Sequence, residues 1–136
     1  MIILLVCHDP LSTAMKNIIE SSFKTDLRDI KTVNVKPEET IDSIVSAINS
    51  EWEEAGKPKT VIALTDLQGA SPSNGLHAWL MKGLVDYIGF VGVNIPMLIS
   101  AVNHRFDETK EVFKKISETS QYCSNSIITK NVKKRN

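Results

Sequence analysis

The chain opens on Met1-Ile-Ile-Leu-Leu-Val-Cys7, an unbroken apolar run stopped by His8-Asp9-Pro10. Continuous rather than alternating hydrophobicity predicts a strand buried on both faces, as in a parallel sheet. The period then changes. Leu11, Met15, Ile18, Ile19 and Phe23 fall on one stripe of a helix. Ile30 to Val35 is rich in β-branched residues and predicts a second strand. Pro37-Glu-Glu-Thr40 reads as the first turn of a helix whose inner positions are Ile41, Ile44, Val45, Ile48 and Trp52, and Gly56 and Pro58 end it.

Thr60 to Thr65 predicts a third strand, followed by Gly69-Ala-Ser-Pro-Ser-Asn74 and an apolar helix through Leu76, Trp79 and Leu80. Lys82-Gly83 stops that helix, and Val85 to Val93 predicts a fourth strand. A short helix is expected around Pro96. A last one runs from about Asp107 to Tyr122 with Val112, Phe113, Ile116 and Thr119 inward. Ser126 to Thr129 has the length of a short final strand, and residues 130–136 form a basic tail.

Strands alternating with helices imply repeated βαβ units. The expected fold is a single α/β domain over residues 1–129, a mainly parallel open sheet with helices on both faces. Its functional crevice lies at the carboxyl ends of the strands, where strand order reverses. That directs attention to His8-Asp9, to Asp66 through Asn74, and to Asn94 through Met97.

Composition narrows the class. At 136 residues and 42% apolar the chain can build a full core without staples. Sixteen basic residues balance sixteen acidic ones, which argues against a general nucleic-acid binder. Cys7 and Cys123 make neither a CxxC pair nor a zinc site, and Cys7 reads as a buried, reduced thiol. No run is long enough for a membrane span, and the first lacks the basic flank of a signal peptide, so a cytoplasmic protein is expected.

At the sheet edge, His8 follows strand one and Asp66 follows strand three. If those strands are neighbours, the two side chains meet. A carboxylate accepting Nδ1–H from the imidazole fixes the tautomer and leaves Nε2 bare as a nucleophile. Ser71 suits an N-cap, Pro72 a first helical position, and Gly69 a turn whose backbone approaches a ligand closely. The helix they begin presents N–H groups and a positive dipole end, an anion site. Read one at a time, these features also suit a loop histidine, a capping aspartate and an ordinary capped helix. A hydrolase using Ser71, His8 and Asp66, or a metal site from His8, Asp9 and Asp66, uses the same residue types, although the GxSxG and P-loop patterns are absent. His77 and His104 read as solvated or core-edge histidines. A phosphoryl carrier gives every part a role and needs no cofactor.

Leu64-Thr-Asp-Leu-Gln-Gly-Ala-Ser-Pro-Ser-Asn74 resembles the VDLxGGSPxN signature of mannose-family enzyme IIA of the bacterial phosphoenolpyruvate-dependent sugar phosphotransferase system. Gly92-Val-Asn-Ile-Pro-Met-Leu98 is similar to that family's GVNLPML segment, and a first strand ending in histidine matches its phosphorylated residue. The resemblance spans Met1 to about Tyr122. It implies a phosphocarrier that takes a phosphoryl group from the phosphohistidine of HPr onto His8 and passes it to enzyme IIB. Asp66 would orient His8, and Gly69, Ala70 and Ser71 would form the turn beside the phosphoryl group. The family's homodimers exchange an edge strand near the C-terminus, the role implied for Ser126 to Thr129. A regulatory module of the same fold, with weak or no transfer, is the alternative.

The sequence departs from the family pattern at Cys7 and Asp9, which flank His8, at Ala70 in place of the second glycine, and at Ser73 in place of an aromatic residue. Asp9 before Pro10 is expected to cap the first helix, away from the phosphoryl group. Leu11, Leu67 and Met97 are candidates for an apolar docking surface around His8, and each suits the core equally.

Overall fold

The computed structural model describes residues 1–127. Among these residues four strands and five helices follow one another, alternating up to α4: β1 (Ile2–His8), α1 (Leu11–Phe23), β2 (Ile30–Val35), α2 (Ile41–Glu54), β3 (Thr60–Thr65), α3 (Ser71–Leu80), β4 (Asp86–Val91), α4 (Ile95–His104) and α5 (Thr109–Tyr122). The sheet has the order β2-β1-β3-β4 and every pairing is parallel. β1 is central, so Ile3 to Cys7 are fully buried, as their unbroken hydrophobicity predicts.

The chain steps from β1 to β2 in one direction and from β2 through β3 to β4 in the other. Right-handed crossovers therefore place α2 and α3 on the face opposite α1. The core divides accordingly. Ile3, Leu5, Cys7, Ile62 and Leu64 face α1, α4 and α5. Leu4, Val6, Val61 and Ala63 face α2 and α3. On the second face Trp79 is fully buried and donates from Nε1 to Asn49 Oδ1 at 3.0 Å, which removes the cost of an unpaired indole N–H. Trp52 meets its edge at a centroid separation of 5.7 Å.

Several local expectations are corrected. In α1 the buried residues are Ser12, Met15 and Ile19, while Ile18 is 52% exposed and Leu11 and Phe23 lie at the surface. The helix covers only the β1–β2 flank and touches α4, so its inward stripe is narrower than its apolar one. Pro37 to Glu39 form a turn before α2 rather than its first turn: Glu39 N–H donates to Lys36 O, and Thr40 is the N-cap in a reciprocal box with Ser43. β4 is shorter at both ends than predicted; Gly92, at φ 92, turns the chain out of the strand. α4 is a full ten residues, capped by Asn94, whose Oδ1 accepts from Met97 N–H. In α5, Val112 and Ile116 face inward, but Phe113 is half exposed and stacks on Phe90. Ser126 and Ile127 are irregular, and the rest of the expected final strand and the basic tail lie outside the described residues.

Candidate functional site

β1 and β3 are adjacent; β3 ends at Thr65, opposite Val6, and β1 runs on to His8. His8 and Asp66 therefore emerge side by side at the carboxyl edge of the sheet, where strand order reverses. His8 donates its backbone N–H to Asp66 Oδ2 at 3.0 Å, and its ring Nδ1 lies 2.8 Å from the same oxygen. An ionised carboxylate only accepts, so Nδ1 carries the proton and Nε2 is the free nitrogen. The other carboxylate oxygen, Oδ1, accepts from Leu67 N–H. Burial raises the Asp66 pKa, but the bonds from the His8 ring and backbone outweigh it and hold the carboxyl below its ordinary value. The Asp66 side chain is 12% exposed and that of His8 is 49% exposed, so the buried partner holds and the exposed one presents its ring to solvent.

The turn after Asp66 follows the sequence reading in outline and departs from it in one detail. Gly69 has φ 78, a left-handed conformation that glycine adopts freely. Ala70 N–H donates back to Leu67 O, and Asn74 Nδ2 donates to Gly69 O, which closes the turn. Ala70, not Ser71, occupies the N-cap of α3. Ser71 is the first helical residue and Pro72 follows it, because Ala70 already has the extended φ and ψ of a cap. No side chain caps this helix; Ser73 Oγ donates to Ala70 O instead. The leading N–H groups of α3 are thus left for a ligand at the edge that carries His8.

Asp9 does not cap α1. Pro10 holds that position without a side-chain bond, and Asp9 is exposed with its N–H bonded to Val35 O at 2.9 Å. The first turn of α1 is instead tied to β2: Ser12 Oγ donates to Val33 O, Thr13 N–H donates to Asn34 Oδ1, and Asn34 Nδ2 donates to Thr13 Oγ1. Sequence reasoning missed Asn34. Its only signal was a polar residue between two valines at the carboxyl end of β2.

The remaining candidates separate clearly. Leu67 is 59% exposed and Leu11 lies at the surface, but Met97 is core under α4. His77 is exposed on α3. His104 pairs with Asp107 at 2.7 Å at the C-terminal end of α4, where the dipole disfavours an anion. Cys7 is fully buried, and burial pushes its thiol up to about 12. Among the described residues, no three histidine, cysteine or acidic side chains stand together as a metal site, and no helix is long and apolar enough to cross a membrane.

Comparison with known proteins gives the family and the fold. The EIIA-man family, the PTS system fructose IIA component, matches residues 2–117. No curated protein sequence matches. Among solved structures, the phosphotransferase system component EIIA from Streptococcus agalactiae is 20% identical, with a TM-score of 0.80 over 92% of this chain and 95% of that one. The mannose/sorbose specific IIA subunit from Enterococcus faecalis is 19% identical, with a TM-score of 0.79 over 97% and 98%. The IIA protein associated with the fucose utilization operon of Streptococcus pneumoniae is 24% identical, with a TM-score of 0.74 over 93% and 92%. These structures share the fold; the family match covers most of the chain. The protein belongs to the EIIA-man family and is a component of a sugar phosphotransferase system.

Proposed function

We propose that the protein is a cytoplasmic phosphocarrier that accepts a phosphoryl group from the phosphohistidine of HPr on His8 and passes it to enzyme IIB. The observation that carries this reading is the 2.8 Å contact between His8 Nδ1 and Asp66 Oδ2, with the histidine half exposed. In the transfer, the Nε2 lone pair attacks phosphorus. The new P–N bond forms as the bond to the donor imidazole breaks, and the donor ring keeps the electron pair. The proton on Nδ1 stays in its bond to Asp66, which offsets the positive charge that develops on the ring. Gly69, Ala70 and Ser71 line the phosphoryl group, with the N–H groups of the turn and of α3 as donors to its oxygens. No cofactor takes part. Partner proteins approach an open edge bearing Leu67 and Leu11. Among the described residues the outer edge of β4 has no strand partner, and a homodimer built on that edge completes the assembly.

The test is to incubate the protein with phosphoenolpyruvate, enzyme I and HPr and to weigh it intact beside a His8→Ala variant. A gain of about 80 Da that is acid-labile and absent from the variant is the expected result. No gain in the folded protein would overturn the carrier reading. It would favour a regulatory module of the same fold, a reading that the exposed Asp9 carboxylate next to His8 already supports through like-charge repulsion.

A further inference from the structure

We propose that Asn34 is a positioning residue for phosphoryl transfer at His8, an inference that rests on the carrier reading above. A helix normally satisfies its third N–H through the side chain of its own N-cap residue. In α1 that position is Pro10, which has no such side chain. Asn34, on the neighbouring strand, does the work instead. Its Oδ1 accepts from Thr13 N–H at 3.2 Å and its Nδ2 donates to Thr13 Oγ1 at 2.6 Å.

The placement makes this more than an ordinary cap. Asn34 pairs in register with Cys7, and Val35 with His8. The His8-Asp9-Pro10 connection is therefore held at three points. Asp66 takes the His8 backbone N–H and ring, Val35 O takes Asp9 N–H at 2.9 Å, and Asn34 takes the first turn of α1. Two of these holds lie on β2, on the side of β1 away from Asp66. Without Asn34 the first turn of α1 loses two of its three side-chain ties to β2 and keeps Ser12 Oγ to Val33 O, so on the β2 side the connection carrying His8 is held mainly by Val35 O. The ring then samples orientations in which Nε2 is not aimed at the incoming phosphorus.

The experiment compares single-turnover phosphoryl transfer from phospho-HPr to the wild type, Asn34→Ala and Asn34→Asp, each checked for a folded state. The His8 ring nitrogens are followed by 15N NMR in the unphosphorylated proteins. Asn34→Ala should slow transfer at saturating donor by about tenfold, leave the donor concentration at half-maximal rate unchanged, and weaken the bonded Nδ1–H signature. Asn34→Asp keeps an acceptor for both the N–H and the hydroxyl of Thr13, and should recover most of the rate. Wild-type transfer and an unchanged ring in a folded Asn34→Ala protein would overturn the proposal while leaving the carrier reading intact. Equal loss in both variants would also overturn it. A wild-type protein that takes no phosphoryl group would overturn both.

Discussion

A single carboxylate oxygen, Asp66 Oδ2, accepts both the backbone N–H and the ring Nδ1–H of His8, at 3.0 and 2.8 Å. Main chain and side chain of His8 are thus referred to one atom just beyond the end of the neighbouring strand. Asp66→Asn offers an oxygen to only one orientation of the amide and removes the charge that balances the ring. The expected result is a transfer rate lower by about ten- to a hundredfold in a folded protein, read by the mass gain at His8 over time. An unchanged rate would show that the pair is structural.

The same pair sets a response to acid. Asp66 has a folded pKa below its ordinary value of 3.8, so it favours the folded state at pH values above 3.8. That contribution is lost as the pH falls through 3.8 and then through the lower folded value. The stability gap between wild type and Asp66→Asn, measured by urea unfolding, should be open at pH 7 and narrow towards pH 3.

Cys7 works in the opposite sense. Its pKa is raised from 9.0 to about 12, so the protonated thiol favours the folded state below pH 9 and the benefit disappears as the pH climbs towards 12. Cys7→Ser should flatten the alkaline loss of stability between those values. A thiol reagent at pH 8 should modify Cys123 in the folded protein and both cysteines after denaturation. Modification of Cys7 in the native state would contradict its burial.

Gly75 marks the closest approach of α3 to α2. A Cβ there would overlap Ile44 Cγ2 and lie 2.8 Å from Ile44 Cβ. Gly75→Ala should therefore destabilise by about 1–3 kcal/mol through overpacking, against about 1 kcal/mol gained in helix propensity. Chemical denaturation of the variant tests this, and the double variant with Ile44→Ala should lose less than the sum of the two single losses.

Leu67 stands next to Asp66 with more than half its surface in water. Leu67→Asp should leave stability within about 0.5 kcal/mol of wild type and slow transfer by raising the concentration of partner needed. Normal transfer at every partner concentration would remove Leu67 from the docking surface.

The sheet and the dyad were legible in the sequence because each depends on local runs. Ile3 to Cys7 can be unbroken and apolar only in a strand covered on both sides, and a histidine ending one such strand and an aspartate following another meet whenever the strands adjoin. Other features depend on neighbours remote in sequence. Ile18 and Phe23 share an apolar stripe with Met15, yet which part of α1 is covered follows from strand order. Met97 looks like a surface residue beside Pro96 until α4 is seen to lie on Leu98 and Ala101, in the core. The Asn34–Thr13 bonds join residues 21 apart, and no periodicity announces them. Ser71 has the residue type of a cap, but one position of backbone geometry gives the cap to Ala70.

His8 and Asp66 are separated by 58 residues and meet only across the β1–β3 pairing. During synthesis, His8 emerges first and remains an ordinary imidazole until β3 has been made and has slotted in beside β1. The amino-terminal strand therefore carries a reactive group that is armed by completion of the sheet. In a nascent or misassembled chain that histidine has no fixed tautomer and no finished α3 turn beside it. On the carrier reading proposed above, a phosphoryl group is accepted only by chains whose sheet is complete.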